Sequence, residues 1–406
     1  MELREYQLVK SSQAVQVLKD LKLVVLQMEC RTGKTYTALH TANNYGAKNV
    51  LFITKLKAME SVKSDFINSA SSFDCTFINI ESLKKVKGNF DLVIFDEYHN
   101  QAFVGKPLLK NKSFARFENL PMIGLTGTLF PEGYNRAYSL FKREFKEHKN
   151  FYEWFRTFGT LKHKYIGGRA INDYSEVNRD KVFARIGKYI VSITQEEAGF
   201  ESVVEDVQHK VYCPVVEHVS KSLRTQKVIT LPSGDEYIAD SVSQEFSAIC
   251  QIAGGTLKTG PKQFEVISFA KLGYIRSNLL KPKMAIYYKF KAELAILTTV
   301  MQSEGYKVFE DAKEFQDHKG KALFLAQFRS GREGVKLDFI DDIIFYSMPY
   351  SNLDYMQSRE RILSRDKQEP CRCHVLLTGI EKRIYDTVKN TKGKFNTESY
   401  KRFKNE

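Results

Sequence analysis

Short apolar runs alternate with stretches of helical composition along the chain. Over residues 20–130 the runs are LKLVVLQM (21–28), NVLFIT (49–54), CTFINI (75–80), FDLVIFDE (90–97) and PMIGLTGT (121–128). A second set comprises KMAIYY (283–288), KVFE (307–310), KALFLAQF (321–328), DIIFYSMP (342–349) and CHVLLTG (373–379). Buried strands separated by helices indicate parallel sheets with both faces covered. The pattern predicts an α/β protein with two units of similar build.

The region between the two sets has mixed patterning and is rich in Phe, Tyr, Lys and Arg. We therefore expect a first domain over 1–135, an accessory region over 136–280, and a second domain over 281–406 with a basic, helical tail. The stretch FKREFKEHKNFYEWFR (141–156) interleaves basic and aromatic residues, which suits stacking on exposed bases. Buried aromatics with lysines outside are the alternative, and Trp154 and Phe155 either separate strands or fill a core.

Composition narrows the class of partner. Among 406 residues, Lys and Arg outnumber Asp and Glu by 62 to 48, giving a formal net charge of +14. Such a surplus suggests a polyanionic partner, most often nucleic acid. The six cysteines lack the spacing of a disulfide framework or zinc site, and no apolar run approaches the length of a membrane span. We expect a cytoplasmic protein without a structural metal or a membrane partner.

The segment ECRTGKT (29–35) lies between the first apolar run and a helical pattern. In such a strand–turn–helix context, backbone N–H groups and the helix dipole favour a bound phosphate. Lys34 would reach the β- and γ-phosphates of ATP, and the Thr35 hydroxyl would bind Mg²⁺. The usual pattern has another glycine five positions before Gly33, where this chain has Met28. An ordinary surface turn is the alternative.

Two adjacent carboxylates end the run FDLVIFDEYHN. Asp96 can hold Mg²⁺ through water, and Glu97 can orient and deprotonate an attacking water. In open α/β sheets, ligands bind outside the carboxyl ends of the strands, so Lys34 and this pair should converge there. The alternative is a pair of solvated acids in a turn.

Taken in order, these segments resemble the motor core of superfamily-two helicases. The matching segments are Arg31-Thr32-Gly33-Lys34-Thr35, Asp96-Glu97-Tyr98-His99, Leu125-Thr126-Gly127-Thr128 and SGREGVKL (330–337). The segments FYEWFRTFG (151–159), QIAGG (251–255) and MPYSNLDYMQ (348–357) are similar to the chromatin-remodeller-like branch, especially its compact phage members. The resemblance implies two RecA-like P-loop domains that hydrolyse ATP.

The resemblance also implies roles for further residues. Those expected at the nucleotide are Gln7, which would read the adenine, and Arg31, Thr32, Gly33 and Gly334. Those expected to contact nucleic acid or to couple it to the ATP site are Thr54, Lys55, Thr126, Thr128, Ser330 and Arg332.

Arginines that would complete the ATP site follow Gln357. The family's motif commonly has Arg four positions after Gln and again three positions later. Arg361 fits this spacing, but the next position is Ser364 and the arginine arrives one residue later as Arg365. An arginine on the γ-phosphate stabilises transition-state charge. We predict Arg361 and Arg365 as these fingers, with Arg359 as a further candidate or part of a charged helix face.

The resulting expectation is a monomeric, ATP- and Mg²⁺-dependent DNA helicase or translocase that remodels branched DNA in replication, recombination or repair. One alternative is a duplex translocase that displaces proteins without separating strands. The others are an RNA helicase and a nucleic-acid-binding module that no longer hydrolyses ATP.

Overall fold

The computed structural model describes residues 3–104, 113–131, 133–166, 169–201, 203–328, 335–364 and 366–390. The chain divides into two compact units, Met1–Gly199 and Phe200–Glu406. The predicted accessory region, 136–280, is thus shared: its residues through Gly199 belong to the first unit, and those from Phe200 belong to the second.

The first unit mixes helices and strands. Its helices are α1 (Glu5–Leu21), α2 (Lys34–Tyr45), α3 (Met59–Asn68), α4 (Ala137–Leu140), α5 (Phe151–Phe158) and α6 (Arg179–Ile186). Its strands are β1 (Leu23–Met28), β2 (Asn49–Ile53), β3 (Asp74–Ile78), β4 (Leu92–Phe95), β5 (Met122–Thr126), β6 (Lys162–Ile166), β7 (Arg169–Asp173) and β8 (Ile190–Ile193).

The main sheet of the first unit has six parallel strands in the order β3-β2-β4-β5-β1-β8. Strands β6 and β7 form a separate antiparallel hairpin. Because β1, β2, β4 and β5 are buried on both faces, they have the nearly continuous apolar sequences typical of parallel sheets. Their common direction brings their carboxyl ends to one edge of the sheet.

An aromatic layer covers one face of this sheet. Leu23 and Val25 of β1 pack there against residues of the stretch 141–156. Phe141, Phe145 and Trp154 are all 0% exposed. The aromatics of that stretch are therefore core residues, and this burial excludes Trp154 as an exposed strand separator. Helices α1 and α2 both contact β1 and cover the sheet as well.

The second unit has a similar build. Its helices are α7 (Pro214–Gln226), α8 (Val242–Ala253), α9 (Ala270–Asn278), α10 (Lys291–Ser303), α11 (Ala312–Asp317), α12 (Asn352–Arg359) and α13 (Glu381–Asn390). Its strands are β9 (Val204–Lys210), β10 (Val228–Thr230), β11 (Glu236–Ile238), β12 (Thr256–Lys258), β13 (Phe264–Val266), β14 (Lys283–Tyr288), β15 (Lys307–Phe309), β16 (Ala322–Gln327), β17 (Asp342–Phe345) and β18 (Cys371–Leu377).

Six parallel strands form the main sheet of the second unit, in the order β15-β16-β14-β17-β18-β9. Alternate residues of β14 point to two separate cores. Ala285 and Tyr287 join one core, and Met284 and Ile286 join the other. Strands β10 and β11 form an antiparallel hairpin. The predicted α/β architecture of two parallel sheets covered by helices is confirmed.

The outer strands β8 and β9 were not predicted as strands. β8 pairs with β1, and β9 pairs with β18. Both come from the region predicted to be an accessory insertion. The described part of the chain contains no helix long and apolar enough to cross a membrane.

Candidate active site

The turn between β1 and α2 forms the centre of the candidate site. Met28 is the last residue of β1 and is fully buried, so the position where a further glycine was expected belongs to the strand. The turn reverses through left-handed backbone at Arg31 (φ 64°) and Gly33 (φ 82°). The buried Thr32 hydroxyl donates to the Glu29 carbonyl at 2.8 Å. Residues 29–33 therefore close the turn without the missing glycine.

Lys34 begins α2 and folds its side chain back across this turn. Its Nζ donates to the carbonyl oxygens of Met28 at 2.9 Å and Glu29 at 3.2 Å. A Cβ atom at Gly127 would lie 3.7 Å from the same Nζ. The TGT segment at the end of β5 thus lies beside the Lys34 ammonium. Thr35 follows in the first turn of α2 and is half-buried.

The start of α1 packs against the same turn. Gln7 accepts from the Arg4 N–H at 2.9 Å, and its Nε2 donates to the Gly33 carbonyl at 3.4 Å. Tyr6 donates its hydroxyl proton to the Thr32 carbonyl at 3.0 Å. Gly33 has a φ of 82°, a conformation that favours glycine, and a Cβ there would also come within 2.1 Å of Gln7 Nε2. Gln7, predicted to read the adenine, also supports the turn.

Asp96 follows β4 and is held by two hydrogen bonds. The Thr54 hydroxyl donates to Asp96 Oδ2 at 2.8 Å, and the Glu97 N–H donates to Oδ1 at 3.0 Å. Burial, followed by repulsion from the Glu97 carboxylate, raises the pKa of Asp96 to about 6. The hydrogen bond from Thr54 and the charge of Lys34 act in the opposite direction. Asp96 is therefore a carboxylate whose ionisation depends on its neighbours.

The structure places Thr54 differently from the prediction of a nucleic-acid contact. The residue follows β2, which neighbours β4, and is 3% exposed. Because its hydroxyl is bonded to Asp96, the side chain does not face outward as a phosphate contact requires. Thr54 instead positions the acidic residue. The next residue, Lys55, is half-buried.

His99 joins Glu97 to the last residue of β5. Its Nδ1 lies 3.3 Å from Glu97 Oε2 and 3.0 Å from Thr126 Oγ1. The Thr126 hydroxyl donates to the Thr128 carbonyl at 2.9 Å. With its own proton directed to Thr128, the Thr126 oxygen is an acceptor, which matches the imidazole tautomer that carries its proton on Nδ1. Thr126 is fully buried, whereas Thr128 is exposed, so these two predicted coupling residues differ in their access to a ligand.

Tyr98 anchors the acidic turn to the aromatic layer. Its hydroxyl donates to the Leu140 carbonyl at 2.6 Å. A Cβ at Gly124 would lie 2.7 Å from Tyr98 Cγ, so the glycine of MIGLT leaves room for the ring. The conformation of the Asp96–His99 turn is therefore set by packing on β5.

In the second unit, the predicted arginine fingers follow α12. Gln357 is 5% exposed. Arg361 lies in a 3₁₀ turn, Glu360–Ile362, is half-buried, and accepts at its carbonyl from the Leu337 N–H at 3.1 Å. Ser330, Arg332, Gly334 and Arg365 lie outside the described residues.

Arg359, the further candidate, faces neither solvent nor an open edge. Its guanidinium pairs with Asp206 of β9, with Nε 3.2 Å from Oδ1, and donates to the Val204 carbonyl. The Asp206 side chain is 1% exposed. Arg359 is therefore part of a buried ion pair that holds an edge strand, and not part of a solvated helix face.

The first unit thus brings its predicted residues together at the carboxyl ends of four neighbouring strands. Sequence reasoning missed the positioning contacts made by Tyr6, Thr54 and His99. For His99 a signal was present, since it belongs to the motif DEYH. For Thr54, the useful signal was its place at the end of an apolar strand, where a threonine can face the neighbouring strand's acidic residue.

Comparison with known proteins supports the fold. No protein-family model matches the chain. No curated protein matches its sequence. One solved structure of similar fold is the ATP-dependent Type ISP restriction-modification enzyme LlaBIII bound to DNA, at 12% sequence identity and a TM-score of 0.53. The similarity covers 100% of this chain but only 29% of that enzyme's length. The two parallel sheets and this likeness agree with two RecA-like domains.

Proposed function

We propose that the protein is an ATP-driven DNA motor, a helicase or translocase that acts on forked or branched DNA. The observation that carries this proposal is the convergence of the Lys34 ammonium, the Asp96–Glu97 pair and the His99–Thr126 contact at one sheet edge. A lysine beside two carboxylates and a bridge to the next strand is the arrangement expected of a nucleotide-hydrolysing site.

The residues present fit ATP with Mg²⁺. Gly33 and Lys34 join a turn to the N-terminus of a helix, where an anion is favoured. Thr35 and Asp96 would hold the metal, which would polarise the phosphate oxygens. Among the described residues there is no group of three side chains able to bind a metal alone. Mg²⁺ commonly binds through one or two carboxylates plus substrate phosphates, so this donor set is sufficient.

The two carboxylates have distinct roles in hydrolysis: Asp96 would hold the metal, and Glu97 acts on the water. Glu97 takes a proton from the attacking water while the water oxygen bonds to the γ-phosphorus. The bond from that phosphorus to the bridging oxygen of ADP then breaks, and ADP leaves. His99 donates its Nδ1 proton toward Glu97 and Thr126, which orients the base. Arg361 and Arg365 would supply positive charge to the γ-phosphate in the transition state.

Several observations favour DNA as the track. The chain has a formal net charge of +14, and the neighbour of similar fold is an ATP-dependent enzyme bound to DNA. Preference for branched DNA rests on the resemblance of the motifs to compact phage helicases. Phosphate contacts by Lys55, Thr128, Ser330 and Arg332 would suit movement that does not depend on sequence.

An ATPase assay with forked, duplex and single-stranded DNA, and with duplex RNA, tests the proposal. We expect forked DNA to stimulate turnover most and Lys34→Ala to abolish turnover, while the exposed control Lys48→Ala retains it. Strand-displacement and protein-displacement assays on the same DNA separate unwinding from translocation without strand separation. Stimulation by RNA alone would favour an RNA helicase. Binding of DNA without any ATP turnover would favour the alternative of a nucleic-acid-binding module that does not hydrolyse ATP.

A further inference from the structure

The first unit contains a cavity near the amino ends of β1 and β5. Its volume is about 410 Å³, within the range of about 300–1,000 Å³ usual for small-ligand sites. Leu23 and Met122, the first residues of β1 and β5, line it. Because β1 rises by about 3.3 Å per residue, Leu23 lies about 16 Å along the strand from Met28 and the Lys34 turn.

Aromatic side chains form much of the wall of this cavity. Tyr98, Phe114, Tyr138 and Phe145 are at most 6% exposed and present only part of their rings. Phe103 differs, since it is half-buried and lines the cavity while its neighbours pack against the core. Its N–H donates to Ser139 Oγ at 3.0 Å, which fixes the backbone beneath the ring. Phe103 can therefore provide a flat face for stacking.

The polar part of the lining is basic. It contains Lys142, Arg143, Lys146, His148 and Lys149, and among the residues that the structure describes Glu118 is the one carboxylate of the lining. Lys142 lies 3.8 Å from Glu118, so that pair largely cancels. Within the described chain, neither Lys146 nor Lys149 forms an ion pair, and both are exposed. The net charge of the lining therefore favours an anion.

Arg143 is the fixed member of this basic group. Its guanidinium donates to the Lys22 carbonyl and the Leu120 carbonyl, both at 2.6 Å. These bonds join the cavity wall to the segments that precede β1 and β5. The cavity thus combines a hydrogen-bonded wall with two exposed lysines in its lining.

We propose that this cavity binds one nucleotide, with the base stacked on Phe103 and the phosphates on Lys146 and Lys149. An aromatic ring beside cations matches a planar base joined to an anionic backbone. The volume is large enough for a single unstacked base. The nucleotide comes either from a single strand of nucleic acid or from a free nucleotide, and the two sources share this chemistry.

Equilibrium binding by the full chain tests the proposal without any ATPase readout. A fluorescein-labelled oligothymidylate is titrated at several salt concentrations, with a slowly hydrolysed ATP analogue saturating the Lys34 site. We expect Phe103→Ala to weaken binding at least about fivefold, because one stacked base contributes about 1–3 kcal/mol. Lys146→Glu with Lys149→Glu should reduce the salt slope by about 1.4, at about 0.7 per lost phosphate contact on a single strand.

A matched double variant, Lys19→Glu with Lys48→Glu, reverses two exposed charges outside the cavity and should leave the Phe103-dependent binding unchanged. Binding of thymidine monophosphate that depends on Phe103 and the two lysines, together with oligothymidylate binding that does not, identifies a free nucleotide as the source. A 5-iodouracil-substituted oligonucleotide should crosslink to Phe103, Tyr98 or Tyr138. Unchanged affinity and salt slope in all cavity variants, or crosslinks confined to other segments, would overturn the proposal.

Discussion

Protonation of Asp96 is the residue-level property on which the candidate active site depends most. Its carboxyl group is buried beside Glu97, and these two effects raise its pKa to about 6. Thr54 and Lys34 oppose the rise by stabilising the charged form. A group balanced in this way changes its charge near physiological pH, so small changes in its contacts should alter activity.

ATP turnover should therefore decline in mild acid. As pH falls through about 6, Asp96 takes up a proton and can no longer bind a metal as a carboxylate. The pH profile of kcat/KM reports ionisations of the free enzyme, so its acidic limb should lie near that value. Asp96→Asn should be inactive across the whole range. An active Asp96→Asn enzyme with an unchanged acidic limb would remove Asp96 from the metal site.

Thr54→Val tests whether this threonine positions Asp96 or contacts nucleic acid. Removing the 2.8 Å hydrogen bond takes away a contact that lowers the pKa of Asp96. The acidic limb of kcat/KM should consequently move to higher pH, with little change in DNA affinity. Lys55→Ala is the control, and it should weaken DNA binding without moving the limb. If Thr54→Val instead weakens DNA binding and leaves the acidic limb of kcat/KM in place, Thr54 contacts nucleic acid, as the sequence predicted.

At the scale of elements, a buried polar cluster holds β9 at the edge of the second sheet. Asp206 accepts hydrogen bonds from the Tyr385 hydroxyl at 2.7 Å and from Lys389 at 2.6 Å, and from the Tyr355 hydroxyl. Arg359 completes the cluster. Burial alone would raise the pKa of Asp206, but the charge of Arg359 and these hydrogen bonds outweigh it and lower the pKa. The cluster thus joins the edge strand to α12 and α13.

Arg359→Leu should destabilise the second unit more than it slows chemistry. The change leaves the buried Asp206 carboxylate with Lys389 as its remaining cation, so we expect a loss of about 2 kcal/mol in the free energy of unfolding. Urea unfolding measures the loss, and hydrogen exchange should show faster opening of β9. The exposed Arg372 on β18 provides the control, since Arg372→Leu should change stability by less than about 0.5 kcal/mol. An unchanged stability of Arg359→Leu would contradict this role.

The central strands could be predicted because their burial on both faces leaves a continuous apolar signal, as in LVVLQM of β1 and LVIF of β4. The edge strand β9 could not, because its sequence VEDVQHK carries polar residues whose partners lie far along the chain. The contacts of Asp206, for example, come from Tyr355, Arg359, Tyr385 and Lys389, all more than 140 residues later in the chain. Sequence periodicity contains no information about such long-range pairing.

The same limit applies to the candidate site. The carboxyl ends of parallel strands must meet, so the convergence of Lys34 and Asp96 follows from the strand assignment alone. The bonds from Thr54 to Asp96 and from His99 to Thr126 depend on which strands are neighbours, and that order is visible only in the fold. The burial of Trp154 likewise depends on the sheet face that its helix covers.

At the scale of the whole molecule, the proposed motor requires each unit to supply part of one chemical step. The first unit contains the lysine and the carboxylates, and the arginine candidates lie in the second. If either unit could hydrolyse ATP alone, the arginines would be dispensable and hydrolysis would have no means of driving movement. Loss of turnover on removing a second-unit arginine is therefore the observation that links chemistry to a motor.

Arg361→Ala should reduce kcat about a thousandfold with a smaller change in ATP affinity, because an arginine finger acts mainly on transition-state charge. Single-turnover hydrolysis and binding of a fluorescent ATP analogue separate the two effects. Arg359→Leu is the matched control, since it removes a neighbouring guanidinium that is paired with Asp206 and should retain kcat at temperatures where it stays folded. The same loss in Arg365→Ala, with Arg361→Ala active, would shift the finger to Arg365. Full turnover by both variants would show that neither arginine takes part in the reaction. ATP hydrolysis would then have no link to the second unit through which it could drive movement on DNA.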